Sequence, residues 1–170
     1  LENTLKEADA RGLDRTGLKT KEIVSRQALR FDLVRGIADT EPFSALAKGG
    51  PWCAAIRQAL GVDMKLIKSG CVVAMPGCPC QPVHPDGKHL FDEGEHLPPH
   101  CITVFVPLID MSADLGPTEF YPGTHRRDSP SQEYRACETG DCEGVAFTSA
   151  KAGDAVMFDY RVLHRGGANS

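Results

Sequence analysis

The pattern of hydrophobic and polar positions in residues 1–62 predicts a mostly helical region that precedes the rest of the chain. Residues 42–60 place apolar side chains on one helical face, and the Gly-Gly-Pro sequence at 49–51 predicts a break between two helical pieces. Residues 28–34 instead alternate apolar and polar side chains, which predicts a strand with one buried face. A helix over residues 20–30 is the competing interpretation of that region.

From residue 63 onward the apolar positions form short runs separated by Gly, Pro and polar residues, a pattern typical of β-strands. Residues 102–109 are apolar almost throughout, so we expect a central strand that is covered on both faces. The other predicted strands lie at 64–68, 71–75, 119–121, 145–148 and 155–159. Short strands that follow a helical region predict a sandwich or barrel with helices packed outside it. No repeat or internal linker divides residues 1–170, so we predict a single domain.

The net charge of the chain argues against some classes of binding partner. Nineteen basic and 23 acidic residues give a formal net charge of −4, which argues against nucleic acid or an anionic membrane as the main partner. No apolar run approaches the length of a transmembrane helix, and no signal-peptide pattern opens the chain at Leu1. We therefore expect a cytoplasmic protein, although a removed leader would be compatible with an organelle. The sequence predicts neither a monomer nor an oligomer.

Seven cysteines, an odd number, do not suggest a disulfide framework. Four of them surround the candidate metal ligands described next, which raises the alternative of a zinc site. However, Cys78 and Cys80 lack the two-residue gap of common zinc motifs, and no second close pair follows them. Reduced thiols in a reducing compartment are the favoured interpretation.

An imidazole and a carboxylate lie two residues apart in the segment from Gln81 to Gly87. In an extended segment, side chains at i and i+2 point to the same side, so His84 and Asp86 are suited to hold one metal ion together. A third ligand is needed, and His164 is the best candidate because it follows the predicted strand at 155–159. Two His and one carboxylate, with open positions opposite them, form the ligand set of non-haem Fe(II) oxygenases.

The remaining histidines are less suited to be ligands. His89 and His96 belong to a polar loop over residues 84–99, and His100 directly follows it, where solvent exposure is the default. His125 follows a turn and is expected to be a surface or hydrogen-bonding residue. Each ligating His should also donate its second ring N–H to a nearby acceptor, because that bond fixes the ring.

Three sequence blocks resemble the phytanoyl-CoA dioxygenase family, in the order that the family shows and over about residues 64–170. The blocks are Gln81-x-x-His84-x-Asp86, then Gly116-Pro117-Thr118-Glu119-Phe120-Tyr121-Pro122-Gly123-Thr124-His125-Arg126, then Gly153-Asp154-Ala155-Val156-Met157-Phe158 leading to His164-Arg165-Gly166-Gly167-Ala168-Asn169. The Gly-Pro-x-x-Phe-x-Pro-Gly-Thr-His pattern is the most specific of them, whereas His-x-Asp is shared by many oxygenases.

The resemblance implies a mainly β fold with flanking helices, namely a double-stranded β-helix (a cupin-like jelly roll) whose core spans 63–170. It implies that His84, Asp86 and His164 are the catalytic residues and hold Fe(II). The implied cosubstrate is 2-oxoglutarate, with Gln81 and Thr118 lining its pocket. The implied reaction consumes O2, releases succinate and CO2, and oxidises a C–H bond of a small organic substrate.

One departure from the family pattern concerns the far carboxylate of 2-oxoglutarate. Relatives hold it with an Arg or Lys beyond the distal His, whereas this sequence ends at Ser170, shortly after His164. We expect a further C-terminal segment to carry that cation. The alternatives are a jelly-roll metal protein that does not use 2-oxoglutarate and a catalytically silent binding module of the same fold.

Overall fold

Short strands dominate the computed structural model, which describes residues 23–33, 41, 43–127, 145–146 and 149–170. The elements are β1 (Ile23–Gln27), β2 (Arg30–Leu33), α1 (Phe43–Gly49), α2 (Cys53–Leu60), β3 (Cys71–Ala74), β4 (Ile102–Phe105), β5 (Thr118–Tyr121), β6 (Val145–Ala146), β7 (Val156–Asp159) and β8 (Leu163–Gly166). Within these described ranges, neither helix has the length and apolar character required to cross a membrane.

The strands form three antiparallel sheets, ordered β1-β2-β3, β4-β7 and β6-β5-β8. In the first sheet, β2 lies between its sequence neighbours and pairs Arg30 with Ala74 of β3. The other two sheets join strands that are distant in sequence, with Phe120 of β5 opposite His164 of β8. These long-range pairings bring the end of the chain back to its middle, where the candidate site lies.

Two of the sheets face each other across a layer of aromatic rings. In the β4–β7 pair, Phe158 lies opposite Thr103. Opposite residues, and residues two apart on one strand, point to the same side, so Phe105 and Phe158 lie on one face. From the facing sheet, β5 and β8 present Phe120 and His164. The Phe158 ring lies 4.9 Å from that of Phe120 and 5.0 Å from that of His164. His164 therefore projects into the space between the two sheets.

The opposite face of the β5–β8 pair carries a small apolar core. Tyr121 and Leu163 are buried there, and the partly buried Val83 packs against them. On the outer side of the β4–β7 sheet, Ile56 and Ala59 of α2 line a groove together with Met157. One helix thus flanks a sheet from outside, as the sequence pattern predicted.

Most predicted elements are confirmed, with shifted ends. The helical region at 42–60 forms α1 and α2, and the chain breaks at the Gly-Gly-Pro sequence. The strand at 28–34 is present as β2, and the competing helix over 20–30 is wrong because β1 occupies 23–27, the centre of that range. Within the residues described, 1–62 holds these two strands as well as the two helices. The division of the domain at residue 63 stays a prediction.

Two strand predictions are corrected. Residues 64–68 form no regular structure, and Leu66 and Ile67 are exposed there. The strand expected at 102–109 ends at Phe105, and within the described part of the chain it pairs with β7 alone. Pro107 has no N–H to donate to a sheet, which explains the early end. Leu108 and Ile109 lie beyond it and are exposed rather than covered on both faces.

Candidate metal centre

His84, Asp86 and His164 come together in the structure as one group of possible metal ligands. One ligand atom from each residue lies within 4.8 Å of the other two. Asp86 Oδ1 is 3.8 Å from His164 Nε2, and the two imidazole rings have centroids 4.8 Å apart. Atoms at these separations can bind a single ion after small side-chain adjustments, so the three residues suit a shared metal.

The backbone brings the three side chains to the same place. His84 and His164 form an isolated antiparallel bridge, in which each N–H donates to the other residue's carbonyl at 3.0 and 2.9 Å. Asp86 N donates to the Tyr160 carbonyl at 2.9 Å. The segment from His84 to Asp86 therefore runs antiparallel to the chain around β8. Because this segment is extended, His84 and Asp86 point to the same side.

Hydrogen bonds orient both imidazoles. His84 Nδ1 lies 2.8 Å from the carbonyl oxygen of Pro82, and His164 Nδ1 lies 3.0 Å from that of Val162. A carbonyl only accepts, so Nδ1 carries the proton in each ring and donates it. The lone pair of each Nε2 is left for a metal ion. The expected acceptors are thus present, and both are backbone carbonyls.

Thr103 fixes the carboxylate of Asp86. Its Oγ1 donates to Asp86 Oδ2 at 2.9 Å, which leaves Oδ1 on the side of His164. Thr103 lies on the face of β4 that points into the space between the sheets. Nothing in the sequence distinguishes Thr103 from an ordinary strand residue, so only the fold reveals its contact.

The side chain of His164 is shielded from solvent. Its side chain is 4% exposed, and the rings of Phe105, Phe120 and Phe158 have centroids 5.0 to 6.0 Å from its own. Burial lowers the pKa of His164, while its hydrogen bond to Val162 and the charge of Asp86 act in the opposite direction. A lowered pKa keeps the imidazole neutral, which is the form that binds a metal.

The comparisons with known proteins agree with this geometry. The family model described as phytanoyl-CoA dioxygenase (PhyH) matches residues 7–170. The chain belongs to the PhyH family. Over 72 residues it is 32% identical to "Dioxygenase easH" of Epichloe festucae var. lolii, a match that covers 41% of this chain and 34% of the relative. The matched region thus spans about a third of that curated relative's length.

A solved structure supports the fold. The crystal structure of AviO1 from Streptomyces viridochromogenes Tue57 resembles this chain with a TM-score of 0.58 and 20% identity, covering 99% of this chain and 73% of that one. PhyH membership and this neighbour indicate a cupin-like fold, in agreement with the sheet-dominated architecture. Closure of the strands into a complete jelly roll stays a prediction.

Gln81 and Thr118, the PhyH residues expected to line a cosubstrate pocket, both adjoin Gly166 of β8. Gln81 Oε1 accepts a hydrogen bond from Gly166 N at 3.0 Å, and Gln81 N donates to the Gly166 carbonyl at 2.9 Å. Thr118 lies opposite Gly166 in the β5–β8 pair, on the face that also carries His164. Both residues are therefore near the metal centre, and their role in binding a cosubstrate stays a prediction.

Arg30 is a buried cation beside the same glycine, and no pattern in the sequence marks it. It is 3% exposed, and its Nη2 donates to the Gly167 carbonyl at 2.7 Å. A Cβ on Gly166 would overlap the Arg30 guanidinium, which therefore lies on the same side of β8 as His164. Arg30 Nε is buried without a hydrogen-bond partner, and within the described ranges no acidic side chain forms an ion pair with this residue.

Two of the three histidines expected in an exposed loop, His89 and His100, depart from that expectation. His100 is half-buried, with Nε2 2.7 Å from the Tyr160 hydroxyl, and His89 is half-buried with Nδ1 3.3 Å from Arg161 Nη1. His96 is exposed, as expected. His125 is half-buried and stands outside the candidate ligand group. Contacts with residues after β7 explain the burial of His89 and His100.

Proposed function

We propose that this protein is an Fe(II)- and 2-oxoglutarate-dependent dioxygenase that oxidises a C–H bond of a small organic substrate. PhyH membership and the dioxygenase relative support an oxygenase-type function. The observation that carries the finer proposal is the grouping of His84, Asp86 and His164, with both histidines offering Nε2. Two imidazoles and a carboxylate suit Fe(II), and three ligands leave open positions for O2 and a cosubstrate.

In the proposed function the three ligands would hold Fe(II). Iron bound there supplies O2 activation, coupled to oxidative decarboxylation of 2-oxoglutarate to succinate and CO2, with one oxygen atom entering the substrate as a hydroxyl group. Other residues of this chain hold the three ligands in position. The hydrogen bonds to Pro82 and Val162 fix the imidazoles, and Thr103 fixes the carboxylate. The aromatic layer beside His164 excludes water from that side of the site.

The buried cation beside Gly166 supports the use of a dicarboxylate cosubstrate. A carboxylate in a buried site needs a charged partner, and a guanidinium offers several N–H donors in fixed geometry. Arg30 lies on the metal side of β8, and its Nε has no hydrogen-bond partner. In our proposal Arg30 helps to bind a carboxylate of 2-oxoglutarate, with Gln81 and Thr118 nearby.

The decisive test is an anaerobic titration of the purified protein with Fe(II) and then with 2-oxoglutarate, followed by visible absorption. We expect a weak metal-to-ligand charge-transfer band that needs both additions and is lost in His164→Ala. His125→Ala is the matched control, because it removes an imidazole outside the ligand group and should retain the band. Iron binding without a band in the intact protein would instead favour a metal-dependent jelly roll that does not use 2-oxoglutarate.

A further inference from the structure

Five basic side chains gather near one end of the β5–β8 sheet; we call them the basic cluster. Its members are His89, His96, His125, Arg127 and Arg161. The His96 ring centroid lies 6.1 Å from that of His89 and 5.8 Å from that of His125. Arg161 Nη1 lies 3.3 Å from His89 Nδ1. The cluster draws on three separate segments, so the fold assembles it rather than the local sequence.

The basic cluster adjoins the metal centre through the backbone. Arg161 follows Tyr160, whose carbonyl accepts hydrogen bonds from the N–H groups of Asp86 and Gly87. His125 follows Thr124, whose Oγ1 accepts from the N–H of Leu163, the neighbour of His164. Both connections place the cluster beside the ends of the segments that carry the candidate metal ligands.

Within the described residues, the ion pair that reaches the cluster joins Arg161 and Asp159. In this pair, Arg161 engages both oxygens of Asp159 at 2.9 and 2.6 Å. Arg127 donates Nη1 to the backbone carbonyl of Asp92 rather than to a carboxylate. Arg127 Nε and His125 Nδ1 are buried and have no hydrogen-bond partner. The Nε–H of Arg127 is thus a donor without an acceptor, and His125 Nδ1 is a second polar atom of the cluster without a partner.

The pKa shifts of two histidines in the cluster also indicate positive charge nearby. Burial lowers the pKa of His89, and the positive charges of Arg127 and Arg161 lower it further. Burial also lowers the pKa of His125, with Asp159 opposing and His96 and Arg161 adding to the effect. The lowered pKa values favour the neutral form of both imidazoles, so the positive charge that would attract an anion is that of Arg127 and Arg161.

We propose that the basic cluster binds an anionic group of the substrate, a carboxylate or phosphate oxyanion, beside the metal centre. Such a group accepts several hydrogen bonds at once, which suits the unpartnered N–H of Arg127 and the imidazoles around it. Anchoring one end of a substrate there would present a neighbouring C–H bond to the metal. Only the statement that the anion belongs to a substrate rests on the proposed oxygenase function; binding of the anion does not.

The test uses the metal-free protein with its histidine rings labelled for 1H–13C NMR. Inorganic phosphate and acetate are added separately at constant ionic strength, with chloride as the reference anion. We expect saturable shifts of the His89, His96 and His125 ring signals with at least one of the two anions, and little change at His84 and His164. Comparison of the phosphate and acetate titrations shows which oxyanion the cluster prefers.

Variants separate a local site from general charge. Arg127→Gln should weaken anion binding about tenfold or more, because it removes a charged donor. Arg165→Gln removes the same charge from the other face of β8, where Arg165 pairs with Glu119, and should leave the affinity within about twofold. His96→Gln changes an exposed residue without endangering the fold and should also weaken binding.

A wild-type protein without saturable shifts, or an Arg127→Gln variant with unchanged affinity, would overturn the proposal. Since neither iron nor 2-oxoglutarate is present, this result is independent of the charge-transfer band that tests the proposed function.

Discussion

At the scale of single residues, the candidate metal centre depends on which nitrogen of each imidazole carries the proton. His84 and His164 each donate Nδ1–H to the carbonyl two residues earlier, in Pro82 and Val162. This short-range bond fixes the ring without help from another side chain. The two rings are therefore oriented before any ion binds, which lowers the entropy cost of assembling the site.

The ligands themselves give the first prediction. Alanine at His84, Asp86 or His164 should lower Fe(II) affinity by more than about 100-fold, since even loss of an outer hydrogen bond costs roughly 10- to 100-fold. Anaerobic calorimetric titration with Fe(II) measures this. His125→Ala should bind iron like the wild type. Wild-type affinity in His164→Ala would remove the central hypothesis.

Thr103 gives a finer prediction. Thr103→Val keeps the shape of the side chain and removes the hydroxyl that holds Asp86 Oδ2, so metal affinity should fall about tenfold while the fold is kept. Thr103→Ser restores the hydroxyl and should restore most of the affinity in the same titration. Equal losses in both variants would show that Thr103 acts through packing.

Arg30 gives a third prediction at this scale. Arg30→Lys keeps the charge but changes the geometry of the donors, so 2-oxoglutarate should bind about tenfold more weakly while Fe(II) affinity stays unchanged. The titration that follows the charge-transfer band measures both affinities. Unchanged 2-oxoglutarate affinity would remove Arg30 from the proposed cosubstrate site.

At the scale of elements, β8 decides whether the ligands meet. It pairs with β5 on one side, and His84 forms a bridge to it on the other. The strand was not predicted, because Leu163-His164-Arg165-Gly166 has one apolar residue and no clear alternation. Gly166 leaves space for two side chains, since a Cβ there would overlap the ends of Arg30 and Gln81. Arg30 and Gln81 are distant from Gly166 in sequence, so the pattern of residues within β8 does not indicate this contact.

The turn between β7 and β8 depends on a buried ion pair. Arg161 Nη2 lies 2.6 Å from Asp159 Oδ2, and both side chains are less than a tenth exposed. Asp159→Asn should lower the free energy of unfolding by about 3–5 kcal/mol, because it leaves the Arg161 charge buried and uncompensated. Urea unfolding measures this. Asp154→Asn, in an exposed turn, is the control and should cost far less.

The same pair predicts a pH dependence of stability. Burial would raise the pKa of Asp159, but hydrogen bonds from Arg161 and its charge outweigh burial, so the pKa lies below the ordinary 3.8. A carboxyl with a depressed pKa in the folded state stabilises the fold above its ordinary pKa and loses that contribution as pH falls through the depressed value. The free energy of unfolding should therefore decrease on acidification below 3.8. In Asp159→Asn this part of the acid dependence should be missing.

At the scale of the whole molecule, a metal ion would join segments that are far apart in sequence. His84 and Asp86 precede β4, whereas His164 lies in β8, the last of the described strands. An ion that binds only the folded state stabilises it, by about 2.7 kcal/mol at a hundredfold excess over its Kd. Anaerobic Fe(II) should therefore raise the thermal midpoint, and a chelator should reverse the shift. No shift should occur in His164→Ala, while His125→Ala should behave like the wild type.

The sequence by itself determined which residues form the candidate site. His84, Asp86 and His164 were identifiable because their residue types match a metal-ligand set and the first two are spaced for one side of an extended segment. Motif order identified the PhyH family, and apolar periodicity located both helices and the centres of most strands. Residue type, spacing, motif order and apolar periodicity are properties of the sequence itself, so they can be recognised without the fold.

Only the tertiary structure decided how distant segments meet. It placed Thr103 against Asp86, Arg30 over Gly166, and β8 between β5 and the His84 segment. It also assembled the basic cluster from loops that the sequence predicted to be exposed or to lie at a turn. Such contacts depend on sheet pairing between residues far apart in the chain, and the energy of that pairing comes from packing and hydrogen bonds that no local pattern encodes.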